Sequence, residues 1–246
     1  RKVFDSTSPT SFLSRIQWSP RTNQIAFLEQ TSTSSSFAAD GAGVHLWVVD
    51  PVTGARRDLG TTLLKGAWIR WSSDGRLAFV RGGGRETWGN KEVVVLDPDW
   101  TEHIVSGRLT PDPTAADRAA LAPAWQPTYA GGKLAWIEGP AMTIEASPDY
   151  FRGTGPSAQR VAVLDGATRV ACPDRITEGV RWSADGRSLL LLCRVPAVDQ
   201  HALEIWYAPI GGTARPLVTG LGDLGFGYYG MQPSLFELAA WSLADR

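Results

Sequence analysis

The chain has 246 residues, of which 43% are hydrophobic and 20% are charged, and its formal net charge is −1 at pH 7. A chain of this composition can bury a core, and the even charge balance argues against disorder, a polyelectrolyte or a dedicated nucleic-acid binder. The longest purely apolar run, from Leu189 to Cys193, is far shorter than the roughly 18 residues of a membrane span, so we expect no span in this chain. The 11 tryptophans, 26 glycines and 16 prolines favour strands, turns and aromatic repeat markers over helices.

A tryptophan-led phrase recurs five times along the chain. It reads WSPRTN, WSSDGR, WQPTYAGGK, WSADGR and WSLADR, and it starts at Trp18, Trp71, Trp125, Trp182 and Trp241. After each of the first four, a turn-forming cluster precedes a short apolar strand, and a second strand follows. The predicted strand pairs are 25–28 with 45–50, 77–80 with 92–97, 134–137 with 160–165, and 189–192 with 204–209.

Turn residues connect these strands into a repeating unit. Asp74-Gly75 and Asp185-Gly186 predict hairpins, because Asp-Gly readily takes the positive φ angles of a type I′ turn. Further turn residues at 50–54 precede a fourth short segment at 57–59. One repeat is therefore predicted to be a four-stranded antiparallel meander.

The strands carry apolar residues almost continuously, which implies sheets that are covered on both faces. Radial stacking of four-stranded blades meets this demand. A β-sandwich is the alternative, but it gives no reason for five similarly spaced phrases. We therefore predict an all-β protein, with residues 1–246 forming a single β-propeller domain of four-stranded antiparallel blades. The predicted blades are 12–60, 66–110, 120–171 and 178–220, with 234–246 and 1–8 forming a partial closing blade. The alternative is that these blades are a portion of a five- or six-bladed ring.

The phrase W-S-x-D-G-R, followed by an apolar strand and a V-V-V-L-D-type strand, resembles the TolB-like, WD-type propeller repeat. The same repeat occurs in propeller domains of prolyl oligopeptidase-type peptidases. The resemblance extends from Gln17 to Arg246 and is sharpest at 71–76 and 182–187. It implies a non-catalytic binding scaffold of a bacterium, located outside the cytoplasm in the periplasm, on the cell surface or in secreted form.

Two other functions are open. One is the propeller domain of a prolyl oligopeptidase-type serine peptidase, whose catalytic domain would lie beyond Arg246. The other is a propeller enzyme of the lactonase or sialidase kind, which needs a convergent metal or acidic pocket.

Meander topology places the loop after each second strand and the links between blades on one face. The long connections all belong to that face, and scaffolds tend to display function on such loops. Several of these loops carry aromatic residues and arginine, which are enriched at interface hot spots. We expect a protein or peptide partner to bind there, at Arg85, Trp88, Tyr150, Phe151, Arg152, Asp199, His201, Tyr228 and Tyr229.

Catalytic motifs are absent from the sequence. It contains no G-x-S-x-G, no H-E-x-x-H and no Walker loop, and His45, His103 and His201 are scattered. We therefore expect no catalytic residues, no metal and no cofactor. Loop carboxylates lack calcium-loop spacing and are interpreted as solvated: Asp40, Asp112, Asp117, Asp149, Asp199 and Asp223.

The tryptophans at 18, 71, 125 and 182 are expected to be buried in equivalent places between successive blades, and Trp47 and Trp206 are also expected in the core. Cys172 and Cys193 are the only cysteines, and they fit either one disulfide or two buried thiols.

Overall fold

The computed structural model describes residues 4, 11–30, 44–63, 68–82, 89–110, 122–140, 160–196 and 202–221, and the backbone at 226–227 and 230–231. The first sheet contains β1 (Phe12–Trp18), β2 (Ile25–Gln30), β3 (Val44–Val49) and β4 (Arg56–Thr61). The second contains β5 (Ile69–Trp71), β6 (Leu77–Arg81), β7 (Glu92–Leu96) and β8 (Glu102–Gly107). The third contains β9 (Ala124–Ala130), β10 (Lys133–Glu138), β11 (Val161–Leu164) and β12 (Thr168–Val170). The fourth contains β13 (Ile176–Trp182), β14 (Ser188–Arg194), β15 (Leu203–Pro209) and β16 (Arg215–Val218). A short hairpin follows, formed by β17 (Phe226–Gly227) and β18 (Gly230–Met231).

Each four-stranded sheet is an antiparallel meander whose strands are hydrogen-bonded in chain order. Each sheet packs against the next one along the chain: the first against the second through β4 and β6, the second against the third mainly through β6 and β9, and the third against the fourth mainly through β9 and β10 with β13. The prediction of a β-propeller built from four-stranded antiparallel blades is confirmed. Residues 234–246 lie outside the described residues, as do all of residues 1–8 except Phe4, so the closing blade stays a prediction. In the part of the chain that the structure describes, no helix has the length and apolar character needed to cross a membrane.

The second sheet shows why the strands are apolar on both faces. Leu77 and Phe79 belong to a cluster shared with the first sheet, whereas Ala78 and Val80 belong to a cluster shared with the third and fourth sheets. Successive side chains of a strand point to opposite faces, so a sheet between two others needs an apolar residue at every position.

The Asp-Gly hairpins form, but their turn type differs from the prediction. Gly75 and Gly186 have φ of 90° and 65°, whereas neither preceding aspartate has a positive φ. Backbone N–H groups of these glycines donate to Ser72 and Ser183, so the turn begins two residues before the aspartate. Their type I′ assignment is therefore wrong, because that turn requires positive φ at both central residues. Asp165-Gly166, which joins β11 to β12, has positive φ at both positions, 47° and 78°.

The repeat tryptophans do not all occupy equivalent positions. Trp18 and Trp71 pair with the first residue of the following strand and Trp182 pairs with the second, whereas Trp125 pairs with Ile137, the fifth residue of β10. In the third sheet, Tyr129 takes the repeat position by pairing with Leu134. The mismatch arises because β9 continues up to its turn at 131–132, so Trp125 is shifted toward the opposite end of the blade.

Backbone geometry supports this alignment. Arg15 and Gln126 have φ of 54° and 55°, and each lies at a β-bulge three residues before the repeat aromatic, Trp18 or Tyr129. Bulges insert an extra residue into one strand and sharpen its twist. The first strand of the first sheet and the first strand of the third sheet are therefore distorted at the same position of the repeat.

Burial of the tryptophans also differs from the prediction. Trp125 and Trp182 are buried and Trp71 is partly buried, but Trp18 is 62% exposed, so its predicted burial is wrong. Among the described residues, no sheet precedes the first one and could cover Trp18. Phe4 packs elsewhere on the first sheet, with its ring 4.8 Å from the ring of Phe27 and 5.3 Å from that of Trp47. Trp206 is buried and Trp47 is only partly buried.

Candidate binding face

Strand direction sorts the connections of the blades into two faces. The long-loop face is the end where β2, β6, β10 and β14 finish and where the following strands start. The short-turn face is the opposite end, with connections such as 72–76, 131–132 and 165–167. The connections that leave the long-loop face include 31–43, 83–88, 141–159 and 197–201, which lie outside the described residues.

The nine residues expected to bind a partner belong to these and neighbouring segments. All nine lie outside the described residues, so their positions stay predictions: Arg85, Trp88, Tyr150, Phe151, Arg152, Asp199, His201, Tyr228 and Tyr229. The described part of the face is the set of strand ends that carry the loops. Buried and partly buried charged side chains that the sequence analysis did not single out join the sheets there.

A charge network lies between the first and second sheets. Arg81 contacts Glu92 with its Nε, at 2.8 Å, and Glu102 with its Nη1, also at 2.8 Å. Arg57, on the first sheet, contacts the same Glu102 at 2.7 Å. Although burial opposes the charged form, the hydrogen bonds to Glu102 and Glu92 raise the pKa of Arg81 above its ordinary value. The network thus joins both sheets through one carboxylate.

Asn90 holds the start of the link to the third blade. Its side-chain Nδ2 donates to the carbonyl of Thr110 at 2.8 Å, and its Oδ1 accepts from the Thr110 N–H at 3.0 Å. Glu92 accepts from the N–H of Leu109 at 3.2 Å. The start of β7 is therefore hydrogen-bonded to the link that leaves the second blade.

Glu138, at the end of β10, joins the second and third sheets. Its carboxylate accepts from the hydroxyl of Ser106 on β8 and, at 2.9 Å, from the indole N–H of Trp136. Arg169 contacts the other carboxylate oxygen at 3.4 Å. Glu138 directly precedes the connection to β11, so this contact fixes the base of a long loop.

The third and fourth sheets meet at the Glu178 cluster, which consists of Arg160, Glu178 and Arg194. Arg160 Nη1 and Arg194 Nε each lie 2.8 Å from a different oxygen of the Glu178 carboxylate. All three side chains are at most 3% exposed. The Arg160 guanidinium also lies 5.4 Å from the ring centroid of Trp125. Removing one partner of a buried ion pair is strongly destabilising, so this cluster fixes the junction of the two sheets.

The Glu178 cluster lies beside a disulfide. Cys172 and Cys193 are bonded, with their Cα atoms 5.9 Å apart, and both residues are buried. The disulfide joins the link before β13 to β14, which decides between the two states that the sequence left open.

The short-turn face also has a structural role. Arg76 follows the turn at Gly75, forms an ion pair with Asp74 at 3.0 Å, and donates to the carbonyl of Gly132 in the next blade at 3.0 Å. Lys133 contacts the carbonyl of Gly186 in the following blade at 3.4 Å. A basic residue after one turn thus reaches the turn of the next blade, twice in succession.

The Ser, Asp, Gly and Arg of W-S-x-D-G-R therefore each have a role in the second blade. The Ser72 hydroxyl donates to Asp74 and accepts from the Arg76 N–H at 2.9 Å. Burial acts to raise the pKa of Asp74, but hydrogen bonds from Arg76 and Ser72 hold it below its ordinary value. In the fourth blade the Ser183 hydroxyl lies 2.6 Å from Asp185, and this hydrogen bond lowers the pKa of Asp185.

The two described histidines pair with aspartates. His45 lies 2.8 Å from Asp58, and His103 lies 2.8 Å from Asp97. Within the described residues, no group of three or more His, Cys, Asp and Glu side chains is placed to hold a metal ion. The loop carboxylates considered for calcium and His201 lie outside those residues.

No protein-family model matches the chain, and no curated protein matches it. Among solved structures, TolB from Acinetobacter baumannii is 18% identical over 88% of this chain and 45% of TolB, with a TM-score of 0.46. A chain from a study of two prolyl endopeptidases is 14% identical over 87% of this chain and 30% of that one, with a TM-score of 0.46. The β-propeller domain of the Trilobed protease from Pyrococcus furiosus is 12% identical over 85% of this chain and 71% of the domain, with a TM-score of 0.36. This chain spans less than half the length of the first two. At such identities the likeness is one of fold alone.

Proposed function

We propose that this chain is a non-catalytic, TolB-like propeller scaffold that binds a protein or peptide partner through its long-loop face. The observation that carries the proposal is that polar contacts join successive sheets at the base of that face, part-buried between the second and third sheets and fully buried between the third and fourth. Ser106 with Glu138 and the Glu178 cluster are the examples at the second and third junctions. Binding sites need a rigid support, because ordering the support at the moment of binding costs affinity.

The proposed contact residues are the aromatic and basic side chains of the long loops. Trp88, Tyr150, Phe151, Tyr228 and Tyr229 supply large amphipathic surfaces, and Arg85 and Arg152 supply charge, as in interface hot spots. Asp199 and His201 complete the proposed set. The W-S-x-D-G-R phrase supports the TolB-like assignment.

We place the protein outside the cytoplasm, in the periplasm, on the cell surface or in secreted form. The support is the disulfide between Cys172 and Cys193. Disulfides persist in oxidising compartments and are rare in the cytosol of mesophiles.

Site-specific photo-crosslinking tests the binding face. A benzophenone amino acid is placed at Trp88, at Tyr150 or, as control, at Arg187, and the full chain is irradiated in an extract of its source. We expect one discrete protein or peptide adduct from Trp88 and Tyr150 and none from Arg187, which is exposed on the short-turn face. Arg76 is unsuitable as a control because it bonds to the next blade. The same adduct from Arg187 alone would contradict the proposed face.

The alternative, a propeller domain of a serine peptidase, makes a different prediction. A hydrolase domain with a nucleophile elbow encoded after Arg246 would support it. In that case the long-loop adduct would be the hydrolase domain itself.

A further inference from the structure

The junction of the third and fourth sheets places a buried disulfide next to a buried charge cluster. Cys193 pairs in register with Thr177, and Arg194 directly follows Cys193. The N–H of Cys172 donates to the Thr177 hydroxyl at 3.0 Å. Thr177 therefore contacts both halves of the disulfide, and Glu178 is the next residue in the chain.

Glu178 occupies a β-bulge. Thr177 pairs with Cys193 and Gly179 pairs with Leu192, so Glu178 is the extra residue of β13 opposite β14. Bulges re-aim side chains, and this one directs the Glu178 carboxylate to Arg160, which directly precedes β11 of the third sheet, and to Arg194 of β14. The bulge is therefore bounded on one side by the residue that contacts the disulfide.

Neither sulfur can meet a solvent reductant while the junction is closed, since Cys172 is 3% exposed and Cys193 is fully buried. Thiol–disulfide exchange requires the thiolate of the reductant to reach one sulfur of the disulfide, so the junction must open first. Opening at Thr177 and Cys193 separates their neighbours Glu178 and Arg194 and breaks the ion pair between them.

We propose that the Glu178 cluster gates the Cys172–Cys193 disulfide, making this junction a redox-sensitive device. Loss of the cluster exposes the disulfide to dithiol reductants, and reduction in turn loosens the cluster, because a coupling between two sites is reciprocal. In the reduction the S–S bond breaks, each sulfur gains one electron and one proton, and the dithiol loses two electrons and two protons as it forms its own disulfide. If the proposed function holds, on which this consequence rests, the redox state of the junction sets the rigidity of the long-loop face between these sheets.

The rate of disulfide reduction tests the gate without any partner, so its outcome is independent of the proposed function. The folded full chain is treated with dithiothreitol, and free thiols are alkylated at intervals and measured by mass spectrometry. Glu178→Gln should accelerate reduction by about ten-fold or more, as expected when one partner of a buried charge cluster is removed. Glu92→Gln is the matched control, since Glu92 is equally buried, pairs with Arg81 at 2.8 Å and lies in the second sheet. Equal acceleration by the two variants would overturn the gate.

If Glu178→Gln does not fold, the wild-type chain supplies the second test. Amide exchange at Ile176 and Arg194, which pair across β13 and β14, reports opening of the junction. We expect the rate of disulfide reduction and the exchange rates of these amides to give the same equilibrium constant for opening of the junction. Reduction that proceeds while both amides stay protected would overturn the proposal.

Discussion

Truncation of Trp182 should destabilise the protein far more than truncation of Trp18, although the two begin similar phrases. Trp182 is 4% exposed and packs in the cluster shared by the last three sheets, whereas Trp18 is 62% exposed. At about 25 cal/mol per Å2, a fully buried indole of roughly 200 Å2 contributes up to about 5 kcal/mol. We expect Trp182→Ala to cost about 3–5 kcal/mol and Trp18→Ala about 1–2 kcal/mol.

Within the part of the chain that the structure describes, the Trp182 indole N–H has no hydrogen-bond partner, so its removal leaves no acceptor there unsatisfied and the loss is one of packing. Urea unfolding followed by far-ultraviolet circular dichroism measures both variants, with the slope of the transition checked for two-state behaviour. Equal costs for the two substitutions would refute the reasoning, since they would require Trp18 to be covered as fully as Trp182.

Two further predictions concern the turns. Ser72→Ala removes a hydrogen bond that lowers the pKa of Asp74, so this pKa should rise toward its ordinary value, as measured by carboxyl carbon NMR. Because the folded pKa of Asp74 is depressed, its stabilisation is fully present above the unfolded value of about 4 and is lost as pH falls through the folded value. The stability deficit of the variant should therefore be largest near neutral pH and shrink as the solution is acidified; an unchanged pKa would contradict this. Gly75→Ala should lower the thermal stability more than Gly166→Ala. Both glycines have positive φ, where a side chain costs about 1–2 kcal/mol. Only at Gly75 would the added Cβ also lie 3.0 Å from the side chain of Arg21. Equal losses of stability in the two variants would show that the Arg21 side chain moves aside at no cost, and would contradict the prediction.

Much of the fold could be predicted from local signals. The apolar strands, the Asp-Gly hairpins and the recurrence of W-S-x-D-G-R are properties of short segments, and they predicted four-stranded blades that the structure confirms. The alignment of the third blade with the other blades was predicted wrongly, because the sequence analysis placed Trp125, the first residue of WQPTYAGGK, at the repeat position. Tyr129 fills that position through strand pairing, which a Trp-led pattern does not reveal.

The candidate site was less predictable. Loop length indicated which face has room for a partner, and the aromatic residues indicated its chemistry, but the proposed contacts lie outside the described residues. The sequence analysis did not predict the Glu178 cluster at the base of the long-loop face. Glu178 is a single acidic residue in a strand, and its partners Arg160 and Arg194 lie 18 and 16 positions away in the chain.

The sequence by itself determined the blade, because hydrophobic patterning and turn chemistry act over a few residues. It also determined that both faces of the inner sheets must be covered. Only the tertiary structure decided which tryptophans are covered, whether Cys172 and Cys193 are bonded, and which arginines share Glu178. These outcomes depend on how one sheet is placed against the next. Strand register and a single-residue bulge set that placement, and shifting either by one position moves a side chain to the other face of its sheet.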